Sequence, residues 1–408
     1  MHTSNKATPR KKPTSDQKLA IVATEFHVER RRSDYKVRFR DLDGQKQTMA
    51  IGRELFTTPS KVVAELLRAN ADLPDNPNTA GELVKRAVAT RSKRSRRITS
   101  RTGLHDTSFV YPGKTFSPLD GKLKLEDTSA VDPALGLKRG SLQAWREGLT
   151  NSFRYSDYLI FAASVAFSGP LFALVGEQEG VVFHFQPQNS APDNNGSKTK
   201  SSSGKTLAAR VALSTIGRPR KTDLISFAVT DRGLEDYCFS HNDLIGVLDE
   251  EGRALSGTGR YIKPSRLPYQ LTSGRGTYRS QKAVRDPDLR NLTWLLPFIS
   301  TGEKPLDESR NESARMEGAQ VRMAPIPVPP GAEGGIINRV DGSREAIVEK
   351  ALSLVRKVEE TLAENYGVAM TSYLGKLWPQ RSSCVPRVSR IVDNFVKSVG
   401  ADSEPAGR

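Results

Sequence analysis

Ser201-Ser202-Ser203-Gly204-Lys205-Thr206 is the run with the clearest chemistry. It follows a compact apolar stretch, Val181–Phe185, that reads as a buried strand, and it precedes a helical pattern, Leu207–Ile216. Small residues between a strand and a helix let backbone N–H groups curl around phosphate oxygens, and the helix N-terminus favours the negative charge. In that context Lys205 would reach β- and γ-phosphates and the Thr206 hydroxyl would hold Mg²⁺. The full G-x-x-x-x-G-K-[ST] spacing places its first glycine at 199, where this chain has Thr199; the nearest earlier glycine is Gly196. The same residues also read as a plain polar loop.

A second group stands 44 residues after Lys205. Leu244-Ile245-Gly246-Val247-Leu248 is an apolar strand pattern ending in Asp249 and Glu250. A strand tipped with two acids suits the other half of a nucleotide site: Asp249 for Mg²⁺, Glu250 to polarise the attacking water. A core strand ending in solvated acids is the alternative. A third pattern, Leu292–Ser300, ends in Ser300-Thr301-Gly302-Glu303. A polar residue at that strand tip could sense a γ-phosphate, with Thr301 the first candidate and Ser300 the other; an ordinary Ser-Thr-Gly turn reads equally well.

Between these acids and that strand lies a basic insert, residues 252–291, with nine Lys and Arg against two Asp. Tyr261, Tyr269 and Tyr278 are interleaved, and Gly274-Arg275-Gly276 marks a tight turn. Cations with aromatics suit a nucleic-acid strand, charge on phosphates and rings on bases. An arginine here could instead complete a neighbouring subunit's nucleotide site. Arg275 and Arg279 are the candidates for either role, with Arg322 a further one. The third reading is a solvated basic loop beside the nucleotide site.

These groups need a scaffold. The chain has 408 residues, 62 Lys and Arg against 46 Asp and Glu, and a net charge of +16. Residues 1–101 alone carry 23 basic and 11 acidic side chains. Cys238 and Cys384 cannot build a disulfide framework, which suits a reducing, cytoplasmic compartment. The histidines and cysteines show no zinc spacing. The first eighteen residues are polar and basic, without the apolar centre of a secretory signal. Tyr158–Val175 is barely long enough to span a bilayer, and Pro170 interrupts it; a buried helix broken at Gly169-Pro170 is expected, with no membrane span.

Along the chain, strands are expected between Ile21 and Ile51, with Tyr35, Val37 and Phe39 alternating against Lys36, Arg38 and Arg40. A helix should start at Thr58-Pro59, facing inward with Val62, Val63, Leu66 and Leu67, and another at the capping box Thr79-x-x-Glu82. The basic run Arg91–Arg101 should form its far end. Further strands are expected at Ile225–Val229 and Val321–Val328, and helices at Asp231–Ser240, 343–365, Val368–Leu377 and Pro386–Val399. The alternation of strands and helices from 140 onward implies a largely parallel, three-layer α/β core. The division expected is a basic tail at 1–18, an N-terminal α+β accessory domain at 19–139, a P-loop ATPase core at 140–330 and a C-terminal helical region at 331–408.

With these residues in hand, the chain resembles the bacterial and phage domain-of-unknown-function family nine-two-seven, found in mobile-element primase-helicase-like proteins. The resemblance runs in order through Thr102-Gly103-Leu104-His105, Phe109-Val110-Tyr111-Pro112-Gly113, Gly140-Ser141-Leu142 with Trp145, and Ala166–Leu171. It continues through Phe183-His184-Phe185, Ser202–Thr206, Gly233-Leu234-Glu235, His241-Asn242-Asp243, Leu248-Asp249-Glu250, Ser300–Glu303, Val321-Arg322 and Tyr366-Gly367. It implies a P-loop NTPase core of AAA+ or superfamily three helicase type. This chain departs from the family in the polar insertion near Pro187–Lys200 and the missing first glycine. The implied function is an ATP- and Mg²⁺-using, DNA-acting, helicase-like motor assembled as a homo-oligomeric ring. Two rivals stay open: a DNA-binding or regulatory protein on a degenerate P-loop, and a P-loop ATPase that remodels protein.

Overall fold

The computed structural model describes residues 19–117, 123–126, 131–188, 203–249, 267–278, 292–302 and 322–399. Two compact units divide the chain. One runs to Thr99 and takes in Lys122–Lys124; the other holds the remainder.

In the first unit, β1 (Leu19–His27), β2 (Arg32–Arg40) and β3 (Lys46–Gly52) form an antiparallel meander. α1 (Pro59–Arg68) and α2 (Pro77–Ala89) follow, and β4 (Ser95–Thr99) returns parallel to β1. With β8 (Leu123–Leu125) the sheet order is β3-β2-β1-β4-β8. Its core joins Leu19, Ile21, Tyr35, Val37 and Phe39 to Val62, Leu66 and Val84. Leu67, expected inside, is exposed at 55%. α2 begins earlier than its capping-box pattern suggests, because the Asn76 side chain accepts the N–H groups of Asn78 and Thr79 and Pro77 sits in the first turn. The basic run does not extend that helix. It crosses a short loop and becomes β4, where pairing with Thr24–His27 overrides local preference.

The second unit begins before residue 140. β5 (Gly103–His105), β6 (Ser108–Tyr111) and β7 (Lys114–Phe116) form a small antiparallel sheet. It is tied to the rest of this unit by buried polar contacts that no local pattern announces. The Thr102 hydroxyl lies 2.8 Å from the carbonyls of Ser240 and Asn242, and Tyr111 donates to the Ile216 carbonyl at 2.8 Å. The expected boundary at 139 therefore falls inside this unit, and so does the expected boundary at 330.

The main sheet has the order β10-β11-β12-β9-β13 and is parallel throughout. Its strands are β9 (Val181–Pro187), β10 (Ile225–Ser226), β11 (Gly246–Asp249), β12 (Pro297–Thr301) and β13 (Met323–Val328). Helices cover both faces. On one, Phe185, Val247, Ile299 and Val328 pack with α3 (Leu142–Arg154), α4 (Asp157–Val175), α5 (Lys205–Ser214), α8 (Arg344–Glu364) and α9 (Ala369–Leu377). On the other, Val182, Leu248, Phe298 and Met323 pack with α6 (Asp231–Ser240) and α7 (Leu267–Thr272). Strand alternation, period two, sorts the side chains between the faces. α10 (Arg381–Ser398) follows and buries none of its residues.

Two elements differ from their sequence pattern. α4 runs unbroken through Pro170. Gly169 explains its placement: a Cβ there would lie 1.9 Å from the Leu244 carbonyl oxygen, so only glycine lets the helix lie this close to the chain entering β11. α4 is long and apolar enough to cross a membrane by length and composition, and it places Leu159, Ala162, Val165, Ala166 and others in the core. Residues 292–296, expected as strand, precede β12, and Leu292–Trp294 pair instead with the turn at 274–276.

Candidate functional site

All strands of the main sheet point the same way, so their carboxyl ends share one edge, where open parallel sheets bind ligands. Three of the sequence candidates meet there. Thr206, on the first turn of α5, donates to Oδ1 of Asp249 at 3.0 Å. Thr301, at the tip of β12, donates to the same oxygen. β12 lies between β9 and β11 in the sheet, and this sets the tip of β12, with Thr301, beside the tip of β11, with Asp249. Ser300, the other sensor candidate, faces the opposite side, where its hydroxyl lies 2.7 Å from Nδ1 of His184 on β9. Alternation along the strand thus chooses Thr301 over Ser300 for contact with Asp249.

Lys205 is buried to 5% exposure, and its Nζ donates to the Ser203 hydroxyl at 3.2 Å. Gly204 precedes α5 with φ +85, and no side chain caps the helix there. A Cβ on Gly204 would lie 2.7 Å from Cγ1 of Ile336. Leu207 donates its backbone N–H to the Gly204 carbonyl at 2.9 Å, and no side chain occupies the start of the helix, the end whose dipole favours an anion. Ser201, Ser202, Glu250 and Arg279 lie outside the described residues.

The donor set fits a hard cation held chiefly by phosphate and water. One carboxylate and one hydroxyl, Asp249 and Thr206, are how Mg²⁺ is met at nucleotide sites. Among the described residues no cluster of three or more His, Cys, Asp or Glu could hold a metal by itself.

A brace from elsewhere in the chain supports this turn, and sequence reasoning missed it. Ile336 donates its backbone N–H to the Ser203 carbonyl at 2.8 Å, and its own carbonyl accepts the Ser156 hydroxyl at 2.5 Å. Gly335 has φ +59, and a Cβ on it would lie 2.4 Å from the Ser203 oxygen. The available signal was the doublet Gly334-Gly335 shortly after β13.

The described part of the basic insert, residues 267–278, places its Gly274-Arg275-Gly276 turn away from this site. Arg275 pairs with Thr293, ahead of β12, and Arg322 immediately precedes β13. Both stand at the amino-terminal edge of the parallel sheet. The length of β12, Pro297–Thr301, separates that edge from Thr301 by roughly 13 Å at about 3.3 Å per residue. Arg275 is exposed. Arg322 lies over the Tyr269 ring, 5.3 Å from its centre, and 3.8 Å from Glu179.

Farther along the same edge, Asp243 is buried, with φ +57, and its Oδ2 accepts the Leu104 N–H at 2.7 Å. Burial raises its carboxyl pKa to about 6, against the smaller opposing pull of that hydrogen bond and of Arg101. Asp132 shows the reverse balance. Burial raises its pKa, but the hydrogen bond and charge of His241, 3.0 Å away, bring it below the usual carboxylate value.

The family model described as domain of unknown function, DUF927, matches residues 1–287. The chain belongs to the DUF927 family. That agrees with the resemblance read from its ordered motifs. Among solved structures, one titled "SCCmec type IV Cch - active helicase" is similar at a TM-score of 0.67 and 15% identity, over 95% of this chain. At that identity the likeness is one of fold: a mixed α/β fold also found in a helicase. This DUF927 chain spans 66% of that protein's length. A second structure, "The A form apo structure of NrS-1 C terminal region-CTR", aligns at a TM-score of 0.29 and 13% identity, over 82% of this chain and 71% of its own. No curated protein matches the chain.

Proposed function

We propose that this protein binds and hydrolyses ATP at the Lys205–Asp249–Thr301 site and uses the cycle to act on DNA as a helicase-like motor. The observation that carries this reading is the convergence of Thr206 and Thr301 on one oxygen of Asp249, beside a buried lysine at an uncapped helix N-terminus. The strand order β10-β11-β12-β9-β13 supports a P-loop core, because it sets a sensor strand between the phosphate loop and the acidic strand. The helicase of similar fold supports the motor class.

In this reading the Lys205 ammonium and the α5 N–H groups bind the β- and γ-phosphates. Ser201, Ser202, Ser203 and Gly204 wrap them. Thr206 and Asp249 hold Mg²⁺, which when bound neutralises charge on the phosphate oxygens. Glu250 takes the proton of the attacking water, and Thr301 reports the γ-phosphate to β12. Copies assemble as a ring. Arg275, Arg279 and Arg322 serve DNA or a neighbouring copy's site; Arg275 and Arg322 lie a strand length from their own copy's site.

The test is phosphate release by the full chain with Mg²⁺, alone and with single-stranded or duplex DNA at stated salt. Stimulation by DNA supports the motor. Turnover indifferent to DNA supports a protein-remodelling ATPase. Nucleotide binding without turnover supports a regulatory scaffold.

A further inference from the structure

Glu235 lies in the middle of α6 with no exposed surface, and the proposed hydrolysis makes no use of it. Burying a carboxylate is costly unless its oxygens are met by donors. Its Oε1 accepts the backbone N–H of Thr277 at 2.7 Å. Gly276 is so close that a Cβ on it would lie 3.0 Å from the carboxyl carbon.

The other side of the same turn is held as well. Gly276 donates to the Leu292 carbonyl at 2.8 Å, and Trp294 donates to the Gly274 carbonyl at 3.0 Å. Gly274 has φ +67, and a Cβ on it would lie 2.6 Å from the Trp294 oxygen. The Gly274-Arg275-Gly276 turn is therefore a short antiparallel ladder, clamped between residues 292–294 and α6.

Arg275 and Tyr278 project from this clamped backbone into solvent, and Tyr278 is 82% exposed. An exposed ring three residues along the chain from an exposed guanidinium, at the end of a backbone held from both sides, offers a base a stacking face and a phosphate a cation. Duplex bases already stack on one another, so the ring selects unpaired bases.

We propose that Arg275 and Tyr278 form a contact for single-stranded nucleic acid, and that Glu235 is its positioning residue. This deepens the reading that the protein acts on DNA. It assigns the base-stacking side chain and a buried carboxylate that fixes it.

The experiment measures binding of labelled oligo-dT and of a labelled blunt duplex to the full chain, without nucleotide. A fluorescent ATP analogue is titrated in parallel. Tyr278→Ala should weaken oligo-dT binding by about tenfold and leave the duplex nearly unaffected. Arg275→Ala should lower the salt slope by about one. Glu235→Ala should weaken oligo-dT binding to the extent that Tyr278→Ala does, with little added loss in the double variant. Glu235→Gln should restore it, since the amide oxygen still accepts the Thr277 N–H. Nucleotide binding should be unchanged in the Tyr278 and Glu235 variants. Should Glu235→Ala fail to fold, the Gln, Tyr278 and Arg275 variants carry the test. Wild-type oligo-dT affinity in Tyr278→Ala, or additive losses at Glu235 and Tyr278, overturns the proposal. A chain that binds nucleotide but not oligo-dT also overturns it and spares the ATPase reading. Tyr278-dependent oligo-dT binding without nucleotide binding does the reverse.

Discussion

The Thr206 hydroxyl donates to Asp249 Oδ1 across 43 residues of sequence. That bond joins the start of α5 to the end of β11, so the Gly204–Thr206 turn and the acidic strand are one assembly. Its consequences are open to direct measurement.

Lys205→Ala should reduce ATP turnover by about a hundredfold or more while the fold persists. Phosphate release and thermal melting, read on the same preparation, check both halves. Wild-type turnover in this variant would remove the site assignment altogether.

Asp249→Asn should raise the Mg²⁺ concentration needed for half-maximal turnover and slow the reaction. Thr301→Val should instead lower kcat with nucleotide affinity little changed, and Thr301→Ser should recover much of the loss. A Mg²⁺ titration of each variant separates a cation ligand from a sensor. Identical behaviour of the two positions would argue against distinct roles.

Gly204→Ala should cost more than backbone strain. Gly113 makes the control: its φ is +74 and nothing lies within 4 Å of a Cβ built there, so Gly113→Ala should destabilise by about 1 kcal/mol. At Gly204 the φ is +85 and the added methyl also meets Ile336. That variant should lose a further 1–3 kcal/mol, roughly, together with nucleotide affinity. Denaturant midpoints and nucleotide titration of the pair test this.

Asp243 should make stability depend on pH. Folded, its carboxyl keeps the proton up to about pH 6; its ordinary pKa is 3.8. Between those values the folded chain binds more protons than the unfolded one. Its contribution therefore falls as pH rises from about 4 to 6, and the penalty persists above that range. Asp243→Asn keeps an acceptor for the Leu104 N–H and tolerates the positive φ. It should match wild type near pH 4 and exceed it at neutral pH by about 3 kcal/mol. Parallel stability curves for the two proteins from pH 4 to 8 would refute this.

Periodicity and capping carried far in this chain. The helix Asp231–Ser240 has the bounds its pattern predicts, and Ser343 caps α8 by accepting the Ala346 N–H. Such features depend on neighbours a few residues away, which a sequence displays directly. Pro170 shows the limit. A lone proline argues for a break, yet packing of α4 against the chain entering β11 keeps the helix whole.

The sequence by itself determined the chemical parts: a lysine and threonine at a strand-to-helix turn, an acid at a strand end, and a polar strand tip. It also determined the family, through motifs in a fixed order. Tertiary structure alone decided how those parts are arranged. Strand order set β12 beside β11, where alternation turns Thr301, and not Ser300, to Asp249; the parallel sheet placed the basic turn at the edge opposite the site. It also supplied Ile336 behind Ser203 and Glu235 beneath Thr277. These are contacts between distant segments, set by which strands pair and which faces are buried. No run of neighbouring residues encodes such pairings, because burial and hydrogen bonding select them only once the whole sheet has formed.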